Sequence, residues 1–320
     1  MLIQKLSKKQ KQIVFSVFGF VVLSAIYIFY HSPPALFPLN QVITVVSGES
    51  LDSITRDLYN AHVIRSPFFF RIHVIVQGGE KKVIAGDYLL DRPEGSADLA
   101  YRLVHGKFHL EPVRATIPEG WNIFQIGDYF EKHLINFNLA QFLVLAKNEE
   151  GYLFPDTYFI FPTTKSDVIL KSMKENFSTK FSSVPGVATS THSIKDIITM
   201  ASILELEART TVDRRIISGI LWKRLKLGMA LQVDATFSYI NGKNTYELTS
   251  DDLKIDSPYN TYKYRGLPPS PIGNPGVDAI FTALNPTSSK YLYYLSSKDG
   301  TMHYAKTFEE HQVNRVMYLK

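Results

Sequence analysis

Eighteen consecutive residues, Ile13–Tyr30 (IVFSVFGFVVLSAIYIFY), carry no charge. As a helix this run is apolar on every side, so it must be covered by protein or by lipid. At about 1.5 Å per residue it reaches roughly 27 Å, close to the hydrocarbon thickness of a bilayer. Lys5, Lys8, Lys9 and Lys11 precede it without an acid among them. We therefore expect a membrane anchor at 13–30 rather than a core helix. The lysines place residues 1–12 in the cytoplasm and everything after Tyr30 outside. Tyr27 and Tyr30 suit the far interface. A cleaved signal peptide is the rival reading, but the apolar run is long for one and HSPPALFPLN (His31–Asn40) holds no A-x-A site. The expectation is a single-pass protein of the inner (plasma) membrane with a periplasmic body.

The body has room for one large or two ordinary domains, since the chain has 320 residues and 45% hydrophobic content. There is no cysteine, which excludes disulfides and thiol-based metal or redox sites and leaves the compartment open. The net charge of +5 sits almost wholly in the four N-terminal lysines, so the high pI makes no case for nucleic acid.

After the anchor, residues 31–40 read as a Pro-containing linker. QVITVVSGES reads as a strand and a turn with Ser50 as an N-cap. SLDSITRDLYNAHVI follows as an amphipathic helix with Leu51, Ile54 and Leu58 on one face. SPFFFRIHVIVQG is a second helix or a buried strand, and periodicity leaves that open. VIAGDYLLD reads as a strand. We bound this small unit at 41–92 and assign 93–320 to a larger domain. That domain opens with a helix ending at Gly106, a strand into Ile117–Gly120 (IPEG), and a helix at NIFQIGDYFEKHL. EEGYLFPDTYFIFP reads as turn-rich and SDVILKSMKENFSTKF as helix. Ile194–Leu227 reads as helix, broken near Arg209–Thr211. LQVDATFSYI reads as strand or extended chain, Val277–Leu284 as helix, YLYYLSS as strand, and a last helix starts near Thr307. The class is α+β.

Within MASILELEART two glutamates interrupt an apolar run. At about 100° per residue, with Glu207 at zero, Met200 falls near about 20°, Ile203 near about −40° and Leu204 near about 60°. Glu207 thus lies on the apolar stripe. Glu205 falls near about 160°, placed to pair with Arg209 at i+4. A carboxyl group facing an apolar stripe holds its proton to higher pH, as a general acid requires. Equally, Glu207 is placed to bridge Arg214, which falls near about −20°.

Ser257–Gly276 (SPYNTYKYRGLPPSPIGNPG) is polar and rich in Pro and Gly. Tyr259, Asn260, Thr261 and Tyr262 supply aromatic faces and hydrogen-bonding groups suited to sugar rings, or else a rigid loop. Gln232 and Asp234 alternate and would share a face. His303 and His311 have no ligand spacing, and we expect no metal and no cofactor. P-loop, G-x-S-x-G and G-x-G-x-x-G patterns do not occur.

Glu150–Tyr158 (EGYLFPDTY), Met200–Ala208 (MASILELEA), Lys223–Thr236 (KRLKLGMALQVDAT) and Asp256–Gly276, in this order and with IPEG, resemble the endolytic murein transglycosylase family of the MltG (YceG-like) type. The likeness runs over about 42–311. It differs at Leu206, Ala208, Ser270, Tyr304 and Ala305, where the family favours other residues. The resemblance implies an N-terminal transmembrane helix, a small LysM-like subdomain and a mixed α+β catalytic domain. It implies cleavage of peptidoglycan glycan strands within the chain, with Glu207 as the catalytic acid. It implies substrate binding around Glu150, Gln232, Asp234, Thr236, Tyr259, Asn260, Tyr262 and Asn274. Its implied partners are glycan strands and peptidoglycan synthases (penicillin-binding proteins) of the same membrane. Two rivals remain: a two-carboxylate hydrolase with Asp234 or Asp156 as second carboxyl, and a non-catalytic glycan-binding scaffold.

Overall fold

A computed structural model describes residues 8–79, 82–135, 137–243 and 245–319; Lys5 of the basic segment lies outside them. The described residues form an α+β protein whose strands make three separate antiparallel pairs. Two compact units meet in the chain between Glu111 and Pro112.

The first unit holds α1 (Lys8–His31), β1 (Val42–Val45), α2 (Leu51–Asn60), α3 (Pro67–Val76), β2 (Gly86–Leu89) and α4 (Ser96–His105). Within α1, Gln12–His31 is long and apolar enough to cross a membrane, and none of it is buried in protein. β1 pairs with β2, Val42 opposite Leu89. The expected strand–helix–helix–strand order is present. Ser50 caps α2 by accepting from the Ser53 N–H, and Ser66 caps α3 by accepting from the Phe69 N–H. Pro67 in the first turn, where no N–H is needed, settles SPFFFRIHVIVQG as helix. Ile54 and Leu58 of α2, Phe70 and Val74 of α3, and Leu99 and Leu103 of α4 close on Tyr88 in one core. Because α4 belongs to that core, the unit runs to Glu111 and not to 92. Buried Arg102 secures α4, pairing with Glu94 and donating to the Leu89 and Lys107 carbonyls.

The second unit begins with β3 (Val113–Thr116), α5 (Ile123–His133), α6 (Leu139–Ala146), β4 (Thr157–Ile160) and α7 (Ser166–Ser182). β3 pairs with β4, Val113 opposite Ile160, and α5, α6 and α7 share a core with this strand pair. Next come α8 (Ile194–Glu207), α9 (Thr211–Lys226), α10 (Thr236–Ile240), α11 (Val277–Leu284), β5 (Tyr293–Ser296), β6 (Met302–Ala305) and α12 (Phe308–Tyr318). β5 pairs with β6, Tyr293 opposite Ala305.

α8 is the centre of this second core. Every residue from Ile197 to Leu204 is buried, with α9 and α11 packed against the helix. The expected break is real: Ala208 leaves helical geometry, and Thr210 caps α9 through the Asp213 N–H. LQVDATFSYI forms no strand. Gln232 takes a left-handed φ of 54°, and α10 starts at Thr236. The burial alternation nevertheless holds, with Leu231 and Val233 buried, Gln232 exposed and Asp234 between. β4 lies inside the stretch read as turns, because pairing with β3 rather than local pattern decides it.

α9 is tied to the segment leading into β5. Thr287 N–H donates to the Arg215 carbonyl at 2.9 Å, and Arg215 Nε donates to the Asn285 carbonyl at 2.9 Å. The two backbones approach so closely at Gly219 that any Cβ there would collide with the Thr287 carbonyl. Gly219→Ala should therefore lower stability by about 1–3 kcal/mol by overpacking, despite alanine's better helix propensity. Thermal unfolding measures it; an unchanged or raised melting temperature would refute the close approach.

Candidate active site

Glu207 is the last residue of α8, carried just past the fully buried stretch. Its Oε2 accepts from Tyr294 Oη at 2.9 Å, and its Oε1 accepts a long bond of 3.4 Å from the Ala235 N–H. Neither bond comes from a cation. Burial raises the Glu207 pKa to about 7, the Tyr294 bond works against that rise, the neighbouring Asp234 adds to it, and the Ala235 N–H opposes it. The carboxyl can hold a proton near neutrality and can also release it.

Asp234 is the second carboxyl here. Its Oδ1 accepts from Tyr262 Oη at 2.5 Å, and burial raises its pKa as well. Burial likewise pushes the Tyr262 and Tyr294 hydroxyls above their ordinary value, and the adjacent carboxylates push them further, so both phenols remain donors. Behind them Arg224 donates to the Leu231 carbonyl at 2.9 Å and to Gln232 Oε1 at 2.7 Å. Its guanidinium lies 5.3 Å from the Tyr293 ring centre. Tyr259 stands half-buried, its hydroxyl 2.6 Å from Ser270 Oγ and its ring 4.8 Å from that of Tyr239. Asp156, by contrast, is held by Asn176 and Lys180 on the β4–α7 side. Tyr304 donates to Asp213 at 2.6 Å.

Glu205 is not a surface partner of Arg209. Its side chain is 5% exposed and pairs with Arg214 at 2.5 Å. Its other oxygen accepts from the Gly276 N–H at 2.9 Å. Arg214 also reaches Asp278 at 2.7 Å and donates from Nε to the Ala208 carbonyl at 2.9 Å. So Arg214 bridges Glu205, not Glu207. A single-stripe wheel misplaces Glu205 because α9 and the start of α11 cover the side of α8 that the wheel assigns to solvent.

Four residues expected to meet sugar are buried, with their polar atoms taken by the protein. Asn260 Nδ2 donates to the Leu253 and Ile255 carbonyls at 2.9 and 2.8 Å. Thr236 Oγ1 donates to the Val233 carbonyl at 3.0 Å. Asn274 Oδ1 accepts from the Leu153 N–H at 2.8 Å, and its Nδ2 donates to the Trp121 carbonyl at 2.9 Å and to Glu150 Oε1 at 3.1 Å. Glu150 also accepts from the Ile123 N–H at 3.2 Å, and burial raises its pKa to about 8. These residues shape the loops. Of the expected residues, Asp234 and Tyr262 stand beside Glu207, Gln232 is exposed and held by Arg224, and Tyr259 packs on Tyr239 and Ser270. Tyr294 and Arg224 went unread in the sequence. Nothing local marks Tyr294 among the tyrosines and leucines around it; only the β5–β6 pairing turns it toward Glu207.

Residues 43–316 match the profile of the YceG-like family. The chain belongs to the YceG-like family. This YceG-like chain is 32% identical to the endolytic murein transglycosylase of Bacillus subtilis (strain 168), covering 87% of this chain and 84% of that protein. It is 30% identical to the endolytic murein transglycosylase of Streptococcus pneumoniae (serotype 2, strain D39), covering 85% of this chain but 57% of the longer pneumococcal protein. Among solved structures, a YceG-like protein of Listeria monocytogenes superposes with a TM-score of 0.58 at 30% identity, covering 85% of this chain and 98% of that one.

Two outcomes follow from this geometry. Glu205→Gln leaves Arg214 short of a buried carboxylate and should cost on the order of 2 kcal/mol; a melting temperature within error of the wild type would contradict the ion pair. Tyr294→Phe removes a donor that favours the Glu207 carboxylate, so the basic limb of the kcat pH profile should move to higher pH while KM changes little. A profile that keeps its position would show that Tyr294 does not act on Glu207.

Proposed function

We propose that this chain is a membrane-anchored endolytic lytic transglycosylase that cuts the MurNAc–GlcNAc bonds of peptidoglycan strands. The observation that carries this reading is Glu207: a part-buried carboxyl with no cationic partner among the described residues and a pKa near 7, in a chain whose relatives bear the transglycosylase name. Protonated Glu207 donates to the glycosidic oxygen, the C1–O bond of the muramic residue breaks, and the GlcNAc hydroxyl leaves. Positive charge develops at C1, where the substrate's own acetamido group assists. The Glu207 carboxylate then takes the proton of the muramic C6 hydroxyl as that oxygen bonds to C1. A 1,6-anhydro ring closes, Glu207 regains its proton, and no water is consumed.

In this reading Tyr294 holds the Glu207 carboxyl in place through both steps. Asp234, with Tyr262, keeps negative charge near Glu207 and so favours its protonated form before attack. Gln232, Tyr259 and Tyr262 line the sugar path. The lysines before the apolar run keep the N-terminus cytoplasmic, which leaves the catalytic unit in the periplasm beside the synthases that extend the strands. Trimming or ending those strands is the role this placement suits. The first unit is a LysM-like module of the same protein. The nearness of Asp234 favours one rival, a two-carboxylate hydrolase in which water attacks C1. The products separate the two: anhydromuramic ends are one water lighter than reducing ends.

Glu207→Gln keeps size and shape and removes the transferable proton. Mass spectrometry of digested glycan strands should show anhydromuramic ends from the wild type, reduced by roughly 10²–10⁴-fold or more in the variant. Stability should diverge in the other sense. The folded pKa of Glu207, about 7, lies above its ordinary value of 4.5, so the fold holds a proton that the unfolded chain releases. Wild-type stability then falls as pH rises from 4.5 to about 7, and the Gln variant lacks that loss. Melting temperatures at either end of this window check the sign. A folded, active variant, or reducing ends as the main product, would end this assignment.

A further inference from the structure

α3 is apolar on two opposite sides, yet only one of them is used. Phe70 and Val74 face the core of the first unit and are fully buried. On the wheel their opposite side carries Phe68, Ile72, Ile75 and Val76, spaced i, i+4, i+7 and i+8. These four are 65%, 38%, 48% and 78% exposed. A face of this kind costs solubility unless something covers it.

The neighbour of that face is α1. The last residues of the apolar run meet α3 directly. The Tyr30 ring lies 5.7 Å from Phe69, and His31 lies 4.8 Å from Phe69 and 4.6 Å from His73. Just before α3, the Arg65 guanidinium sits 4.5 Å from the centre of the Phe29 ring. Phe69 and His73 occupy the flank of α3 next to its exposed apolar face. If α1 spans the bilayer, Phe29, Tyr30 and His31 mark the depth where hydrocarbon gives way to headgroups. The contacts hold α3 at that same depth. Ten residues are too few to span, but an apolar helix of this length suits the interfacial plane. The polar residues are placed to match: Arg71 lies at the margin of the apolar face, paired with Asp52 at 2.7 Å.

We propose that the outward face of α3 is a lipid-binding surface that lays the first unit against the bilayer where α1 leaves it. The occupant is the membrane itself, because the helix that enters the membrane is the one packed beside the face. The anchor then acts as more than a tether. Two elements fix the unit to the bilayer, one spanning and one lying in the interface, and this limits how far the first unit can swing away.

This inference rests on α1 crossing the membrane, and the test separates the two. The chain has no cysteine, so Phe68→Cys, Val76→Cys and, as a control on α2, Asp57→Cys each give one labelling site. Each full-length variant carries an environment-sensitive NBD label and is reconstituted into phosphatidylethanolamine–phosphatidylglycerol vesicles, with or without doxyl-labelled lipid. The expected result is blue-shifted emission quenched by doxyl lipid at positions 68 and 76, with neither effect at 57. Failure to float with the vesicles would overturn the anchor, and this proposal with it. Flotation with unquenched, water-like emission at 68 and 76 would overturn the α3 surface alone. A blue shift that doxyl lipid does not quench would also overturn it, by showing that protein, such as a second copy, covers the face.

Discussion

Arg214 joins the elements on which the candidate site depends. One guanidinium reaches Glu205 on α8, Asp278 on α11 and the Ala208 carbonyl at the end of α8. It comes from α9, so three helices meet at one buried cation. A charge in this position is costly to bury and is tolerated because each of its three nitrogens finds an oxygen. Glu205 extends the junction by accepting from the Gly276 N–H, which fixes where the long loop becomes α11. The end of α8, and Glu207 with it, therefore has little freedom to move.

The two glutamates of the E-x-E pair divide the electrostatic work. Glu205 sits against a full positive charge, though burial still raises its pKa. Among the described residues, Glu207 meets only a phenol and a distant backbone N–H, beside a second carboxyl. Burial without a counter-charge is what brings a carboxyl toward neutral pKa. The same helix terminus thus supplies a rigid support and a group able to exchange its proton, two residues apart.

The loops around them are built by close backbone approach. The IPEG turn and the GNPG stretch pair as the Gly120 N–H donates to the Asn274 carbonyl at 2.8 Å and the Asn274 N–H donates to the Trp121 carbonyl at 2.9 Å. Added Cβ atoms at Gly273 and Gly276 would strike the Gly120 carbonyl and the Glu119 side chain. Glycine is needed there for space, not for an unusual φ. The Asn274 and Glu150 side chains complete the joint from within, and for that reason neither presents a polar group to a ligand.

Local pattern was enough for much of this protein. The charge-free run defined α1, the Ser50 cap and apolar spacing marked α2, local pattern marked α5, α7, α8, α9 and α11 as helices, and the wheel put Glu207 on the apolar stripe while misplacing Glu205. These features depend on residues close in the chain, so the sequence records them directly. What depended on distant partners was not recorded. β4 needed β3, α4 needed a core to choose, and Glu205 needed α9 and α11 to bury it. The amides of Asn260 and Asn274 look the same in the sequence whether they face a sugar or a backbone carbonyl. Tyr294 reaches Glu207 from 87 residues away. Hydrogen bonds and burial across such separations are set by which surfaces meet in three dimensions, and only the tertiary structure decided them.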